Sequence, residues 1–220
     1  MHDFFEHVRK PRIMLPASTK HRILVAGGIT LLVTLVRLYG EIHHWSTSWF
    51  GPEPGGNTAV FGIAWLVPLF GVWFAQSLTG AADDRRSTWS AIGWPLGGIA
   101  VGAALIAALV NTLSPSVVGF IAVCTTSLVC AAAAYFAWPA LFRANLGYAI
   151  TARAPILLIT VIAVTHDWGT HYEKTAPGSP PMPDAQRILV LCTAQVALWF
   201  PYTVLVGGLF GGLFARRRRP

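Results

Sequence analysis

Residues 37–45, RLYGEIHHW, follow directly on residues 23–36, ILVAGGITLLVTLV, a run of fourteen without a charge. Fourteen residues are too few to cross a bilayer, because ~20 residues rising ~1.5 Å each are needed to span ~30 Å. A first membrane helix, expected over residues 22–44, must therefore carry Arg37 and Glu41 into the outer part of the membrane. A charge there costs at least ~2.5–3.5 kcal/mol and normally faces protein or water. At helical spacing Thr34, Arg37, Glu41 and His44 share one face.

The rest of the composition agrees with a membrane protein. Of 220 residues, 54% are hydrophobic and 11% charged, and the mean hydropathy is +0.56. Soluble domains carry ~25% charged residues. The net charge of +7 does not point to nucleic acid, because the basic residues sit in tails and short connections and do not interleave with stacking aromatics. The lipid bilayer is the partner this composition implies. Cys124, Cys130 and Cys192 all fall in apolar segments and form no CxxC pair, so they read as small packing groups. No small-x-small cleavage pattern follows the first apolar run, so that segment is expected to be retained.

Six helices are expected. The second covers residues 58–78, with a kink at Pro68. The third covers residues 89–111 and the fourth 116–138. The fifth starts at Pro155 after a semipolar stretch, residues 141–154, and its uncharged run of twelve residues, 154–165, is again too short to cross alone. The sixth covers residues 187–215, with a kink at Pro201. Proline- and glycine-rich stretches at 43–57 and 166–186 form the outer loops, where Trp45, Trp49 and Phe50 suit the headgroup level. Gly98 and Gly102, and the overlapping pairs Gly207/Gly211 and Gly208/Gly212, mark close helix packing, within the chain or toward a second copy or a membrane-complex partner.

The fold class is therefore all-α: a polytopic membrane protein with six transmembrane helices over residues 22–215. A basic segment, 1–21, precedes them and an arginine tail, 216–220, follows. Placing both termini in the cytoplasm puts thirteen of the sixteen Lys and Arg residues on that side, Arg153 among them. That is the positive-inside pattern, and a bacterial inner (plasma) membrane is the expected location.

If Arg22 and Arg153 both lie at the inner boundary, Arg37 is ~22 Å and His166 ~20 Å above them. Glu41, His43, His44, Asp167, His171 and Glu173 then gather on the outer side. An anion or lipid-headgroup site would use the guanidinium of Arg37, tuned by Glu41, His44, His166 and Asp167, because guanidinium pairs bidentately with carboxylate or phosphate. A metal site would draw on His44, His166, His171 and Glu173. A haem would need His44 and His166 as axial ligands. In the plainest alternative Arg37 pairs with Glu41 or Asp167 and only fixes helix packing. The leading expectation is a protein that binds or transports a small anionic solute or lipid headgroup through an outward-facing polar site. An accessory subunit and a metal- or haem-dependent membrane enzyme are the rivals. No cofactor or substrate is named by these residues.

Overall fold

The computed structural model describes residues 14–54, 62–79, 88–113 and 116–215. Residues 1–13 of the basic N-terminal segment, residues 55–61, 80–87 and 114–115, and the arginine tail lie outside the described residues. Every regular element among those described is a helix: α1 Ala17–Ile42, α2 Thr47–Phe50, α3 Leu66–Leu78, α4 Thr88–Leu113, α5 Val117–Ala137, α6 Pro139–His166, α7 Asp184–Ala197 and α8 Trp199–Phe214. Five segments are long and apolar enough to cross a membrane: α1, α4, α5, α6 and the α7–α8 pair. Helix α3, with 13 residues, reaches only ~20 Å.

The helices alternate in direction. Thr19 meets Ser77 at 2.9 Å and Arg22 bonds the Trp73 carbonyl at 2.6 Å, so α3 runs against α1. Gly27 lies against Thr151, and Leu38 packs with Ile159, so α6 runs with α1. Gly207 abuts Asn145, and Gly211 abuts both Leu141 and Ala75, so α8 runs against α6 and with α3. Gly98 faces Leu205 while Gly212 faces Ala91, which sets α4 against α8.

Helix α1 shows what solvent this fold expects. Its buried stripe, at spacings of three and four, is Thr19, Ile23, Ala26, Thr30, Thr34, Arg37 and Glu41. Leu24, Ile29, Leu32 and Leu35 point outward instead. A helix that turns its polar groups inward and its leucines outward is built for hydrocarbon. Helix α4 is more extreme: only 11% of its most apolar window is buried inside the chain.

Three expectations need correction. Residues 141–154 are not a semipolar prelude; they belong to α6, one helix of 28 residues with Pro155 inside it. The stretch reads as semipolar because it carries Arg143 and Arg153; Arg153, with Asn145 and Tyr148, is instead buried. Pro68 makes no mid-helix kink, because α3 begins at Leu66 and a proline in the first turn removes no helical hydrogen bond. The last helix does not merely bend at Pro201: it breaks at Leu198 into α7 and α8, where the proline cannot donate to the Ala197 carbonyl four residues back.

The expected packing glycines are used within the chain. A Cβ on Gly98 would lie 2.9 Å from the Cys130 carbonyl, on Gly211 2.8 Å from the Gly71 carbonyl, and on Gly207 2.7 Å from Asn145 Oδ1; on Gly102 it would touch Cys130 Sγ at 3.4 Å. Gly71, not singled out from sequence, sits hardest against the backbone of Gly207. Pro95 leaves the Ala91 carbonyl of α4 without its helical donor, and a Cβ on Gly212 would come within 2.6 Å of that oxygen. These contacts zip α3, α4 and α8 together. Gly71→Ala should therefore lower the melting temperature in detergent by the equivalent of about 1–3 kcal/mol. Gly28→Ala, where nothing lies within 4 Å, should leave it unchanged or raise it slightly. Equal effects at the two positions would show that the glycine seam does not hold the bundle.

Candidate functional site

Two buried arginines define the polar interior, and they are treated differently. Arg37, 5% exposed, donates from Nε to Glu41 Oε1 at 2.7 Å and from Nη2 to the Gly51 carbonyl at 3.1 Å. The short helix α2 brings that carbonyl in: Phe50 packs on Gly40, where a Cβ would collide with its ring, and Trp45 meets Phe50 edge-on at 5.2 Å. Glu41 also accepts from the backbone N–H of His171 at 2.9 Å and from His171 Nδ1 at 2.6 Å. The expected i,i+4 pair is present. From beyond α1, His171 reaches the pair by bonding Glu41, whereas Asp167, expected as the other partner of Arg37, ends α6.

His171 is brought there by the fold of the loop after α6. Glu173 fastens that loop by accepting from the backbone N–H groups of Trp168, at 3.0 Å, and Gly169. Tyr172 is buried among Ile156, Ile159 and Ala163. Burial in this apolar setting raises the Tyr172 and Glu173 pKa values, so the phenol is neutral. Burial is also the main influence on His171, holding its pKa below 6.5, with the Arg37 charge acting in the same direction and the Glu41 contact against it. A neutral His171 donates from Nδ1 to Glu41 and keeps Nε2 as an acceptor.

The other expected site residues lie elsewhere. His44 and Asp167 are the two non-glycine residues with positive φ among those described, both at 52°. Each ends a helix. Trp45 N–H bonds the Gly40 carbonyl and His44 N–H the Glu41 carbonyl, a Schellman ending with His44 in the left-handed position. Asp167 does the same for α6, with Trp168 N–H returning to Ala163. His166 is exposed and its Nδ1 bonds the Ile162 carbonyl at 3.0 Å. The set His44, His166, His171 and Glu173 is not brought together, and among the described residues no three His, Cys, Asp or Glu side chains converge.

The second arginine was placed at the inner boundary from sequence. Arg153 is instead in the middle of α6 and 4% exposed. Its guanidinium lies over the Trp199 ring, 4.6 Å from the centroid, and Nη1 donates to Gln195 Oε1 at 3.2 Å. No hydrogen bond from a described residue reaches its Nε or Nη2, and no described carboxylate pairs with it. The Tyr172 phenol shares a cavity lining with it, whereas Tyr148 is engaged with Thr30 Oγ1 at 2.8 Å and Tyr202 with the Ala64 carbonyl at 3.3 Å.

Arg153 lines a cavity of ≈ 220 Å³ together with Ile63, Trp65, Ile156, His171, Tyr172, Gln195 and Trp199. Two features of the chain make this space. Helix α3 starts late, so residues 62–65 form a non-helical wall. The α7–α8 break presents Gln195 and Trp199, four residues apart, on the same side. His171 is common to both arrangements: one ring bonds the carboxylate paired with Arg37 and lines the cavity of Arg153. Sequence reading missed Arg153, Gln195, Tyr172 and Trp199. The one available signal was that Arg153 would be interior if Pro155 were read as lying inside a helix and not at its start. No protein-family model matches the chain, no curated protein matches its sequence, and no solved structure matches its fold.

Two outcomes follow from this geometry. His44→Gly and Asp167→Gly should be neutral or stabilising by up to ~1 kcal/mol, because glycine removes the cost of a left-handed residue; a marked loss of stability at either would mean that its side chain bonds something. Acid should destabilise the fold through His171. The unfolded chain takes up a proton below about pH 6.5, the folded His171 resists it, and stability is therefore lost as pH falls from that value toward the lower folded pKa. The groups facing this ring are Glu41, Arg37, Lys174 and Tyr172. Glu173, with its raised pKa, contributes with the opposite sign. The comparison is therefore with His171→Gln, whose melting temperature should fall less between pH 7 and pH 5. Parallel curves would remove His171 as the titrating group.

Proposed function

We propose that the chain is a six-span membrane protein that binds, and in its working cycle transports, a small anionic solute or lipid headgroup, with Arg153 holding the anion. In this reading α3 with residues 62–65 completes the sixth crossing, and both ends of the chain face the cytoplasm of a bacterial inner (plasma) membrane. Alternating helix directions support the even number of crossings. With Arg153 taken into the bundle, the basic residues outside the cytoplasmic ends and turns are Arg37, Arg153, Lys174 and Arg187, so the positive-inside pattern still supports the orientation.

The observation that carries the reading is a buried guanidinium, beside a cavity, with no carboxylate partner among the described residues. An unpaired charge inside a low-dielectric bundle costs several kcal/mol. Arg37 avoids that cost with Glu41, whereas Arg153 has an amide, an indole face and a space. A ligand anion would complete its coordination. Arg37 itself, fully engaged by Glu41 and Gly51, supports the site through His171 and is not the anion holder expected from sequence.

The test is thermal unfolding of the purified protein in detergent, with acetate, benzoate or inorganic phosphate added against sodium chloride at equal ionic strength. A ligand at a hundred times its Kd adds ~2.7 kcal/mol, about 5–10 °C for a chain of this size. At least one of these anions should raise the melting temperature of the native protein and leave Arg153→Gln unmoved. Gln195→Ala, which keeps the guanidinium, should respond more weakly than native. If no anion exceeds chloride, or if Arg153→Gln responds as native does, the guanidinium is structural and the proposal fails.

A further inference from the structure

Resting on that reading, we infer that the ligand is a monoanionic carboxylate with a compact apolar body, gripped side-on by Arg153, and not a multivalent oxyanion. Three observations point the same way.

The first is which edge of the guanidinium has no hydrogen-bond partner among the described residues, its Nε being itself buried. Arg153 uses Nη1, the nitrogen on the Cδ side, for Gln195. The unpartnered pair is Nε and Nη2, whose N–H bonds run parallel. Two parallel donors match the two oxygens of a carboxylate. Trp199 covers a face of the guanidinium, so the unpartnered N–H groups lie along its edge.

The second is charge. Among the described residues Arg153 is the one cation lining the cavity. Arg37 and Glu41 neutralise each other, and His171 gives its Nδ1 to Glu41. Lys174 lies beyond His171 and does not line the cavity. One negative charge is matched by this set. A second would face the Nε2 acceptor of a neutral His171 and the phenols, with no cation to meet it.

The third is the remaining wall. Ile63, Ala64, Trp65, Ile156 and Trp199 are apolar or aromatic. A sealed apolar cavity of about 150 Å³ holds benzene. The ≈ 220 Å³ here has room for a ring or short alkyl chain with its carboxylate.

The experiment measures binding to the full-length protein in nanodiscs by calorimetry at pH 7.5, using benzoate, butyrate, acetate, dimethyl phosphate, sulfate and the neutral isostere benzamide. Benzoate should bind about tenfold or more tightly than acetate, because burial of its ring adds to the same carboxylate contact. Butyrate should fall between them, with sulfate and benzamide weakest, and Arg153→Gln should lose about tenfold or more for benzoate. Arg153→Lys, which keeps the charge but loses the paired donors, should lose much of the preference for carboxylates. If sulfate or dimethyl phosphate binds as well as benzoate, and does so through Arg153, the carboxylate inference is overturned while the anion site stands; a preference for dimethyl phosphate would identify a lipid phosphodiester. If benzamide equals benzoate and Arg153→Gln is silent, the anion site itself falls.

Discussion

The carboxylate of Glu41 accepts from Arg37 on its own helix and from His171, 130 residues further along the chain. That junction determines much of the polar architecture. It removes the cost of carrying Arg37 into an apolar bundle. It ties the C-terminal end of α1 to the loop after α6 at a single point where both oxygens are engaged. Deleting Arg37 or Glu41 alone would leave a buried charge uncompensated, which costs more than the pair contributes when intact. Because Tyr172 follows His171 directly, docking the histidine on Glu41 also seats the phenol on α6, and together the two side chains form part of the wall over Arg153.

The readable part of this arrangement was local. An uninterrupted apolar run followed by Arg37 and Glu41 at i,i+4 is enough to require a helix with a buried ion pair, and the structure has it. Small residues four apart required close helix contacts, and Gly98, Gly207 and Gly211 make them. Two kinds of fact were not local. One is backbone sign. His44 and Asp167 carry side chains that suit proton or metal chemistry, but their φ of 52° comes from where two helices happen to stop. Left-handed residues are usually glycine or asparagine, so nothing in the side chains announced the role. The other is the effect of a proline. Pro155 and Pro201 look alike in the sequence, yet α6 continues through Pro155 while the last helix breaks three residues before Pro201. Neighbouring helices can hold a proline-containing helix together by packing on it, and that packing is not written in the residues around the proline. Reading Pro155 as a start sent Arg153 to the membrane boundary and hid the site.

The two arginines show why buried charge in hydrocarbon is informative about function. Helix packing alone needs no such group, since glycine and alanine faces already bring these helices together. A guanidinium retained inside is either neutralised by the chain or waiting for something else. Arg37 is the first case by its geometry. For Arg153 the described residues supply a neutral amide and an indole face, groups that stabilise a cation without cancelling it. Stabilisation short of cancellation is what a reversible anion site requires, because a full carboxylate partner would have to be displaced each time the ligand entered.

The position of that site within the bundle follows from where packing is tightest. The glycine contacts among α3, α4 and α8 are at backbone distance, so those helices cannot slide past one another without steric collision. Helix α6 is held to α8 by Asn145 on Gly207 and to α1 by Tyr148 on Thr30. Arg153 stands on this fixed wall, one to two turns above both contacts. The facing wall is made of different material: the irregular residues 62–65, the Leu198 break and the loop carrying His171 and Tyr172. None of these is part of the glycine seam. A ligand entering the cavity would therefore meet a guanidinium held in place by the seam. Whatever adjustment admits it falls on the three elements that the seam does not restrain, and one of them carries the histidine that reports back to Glu41.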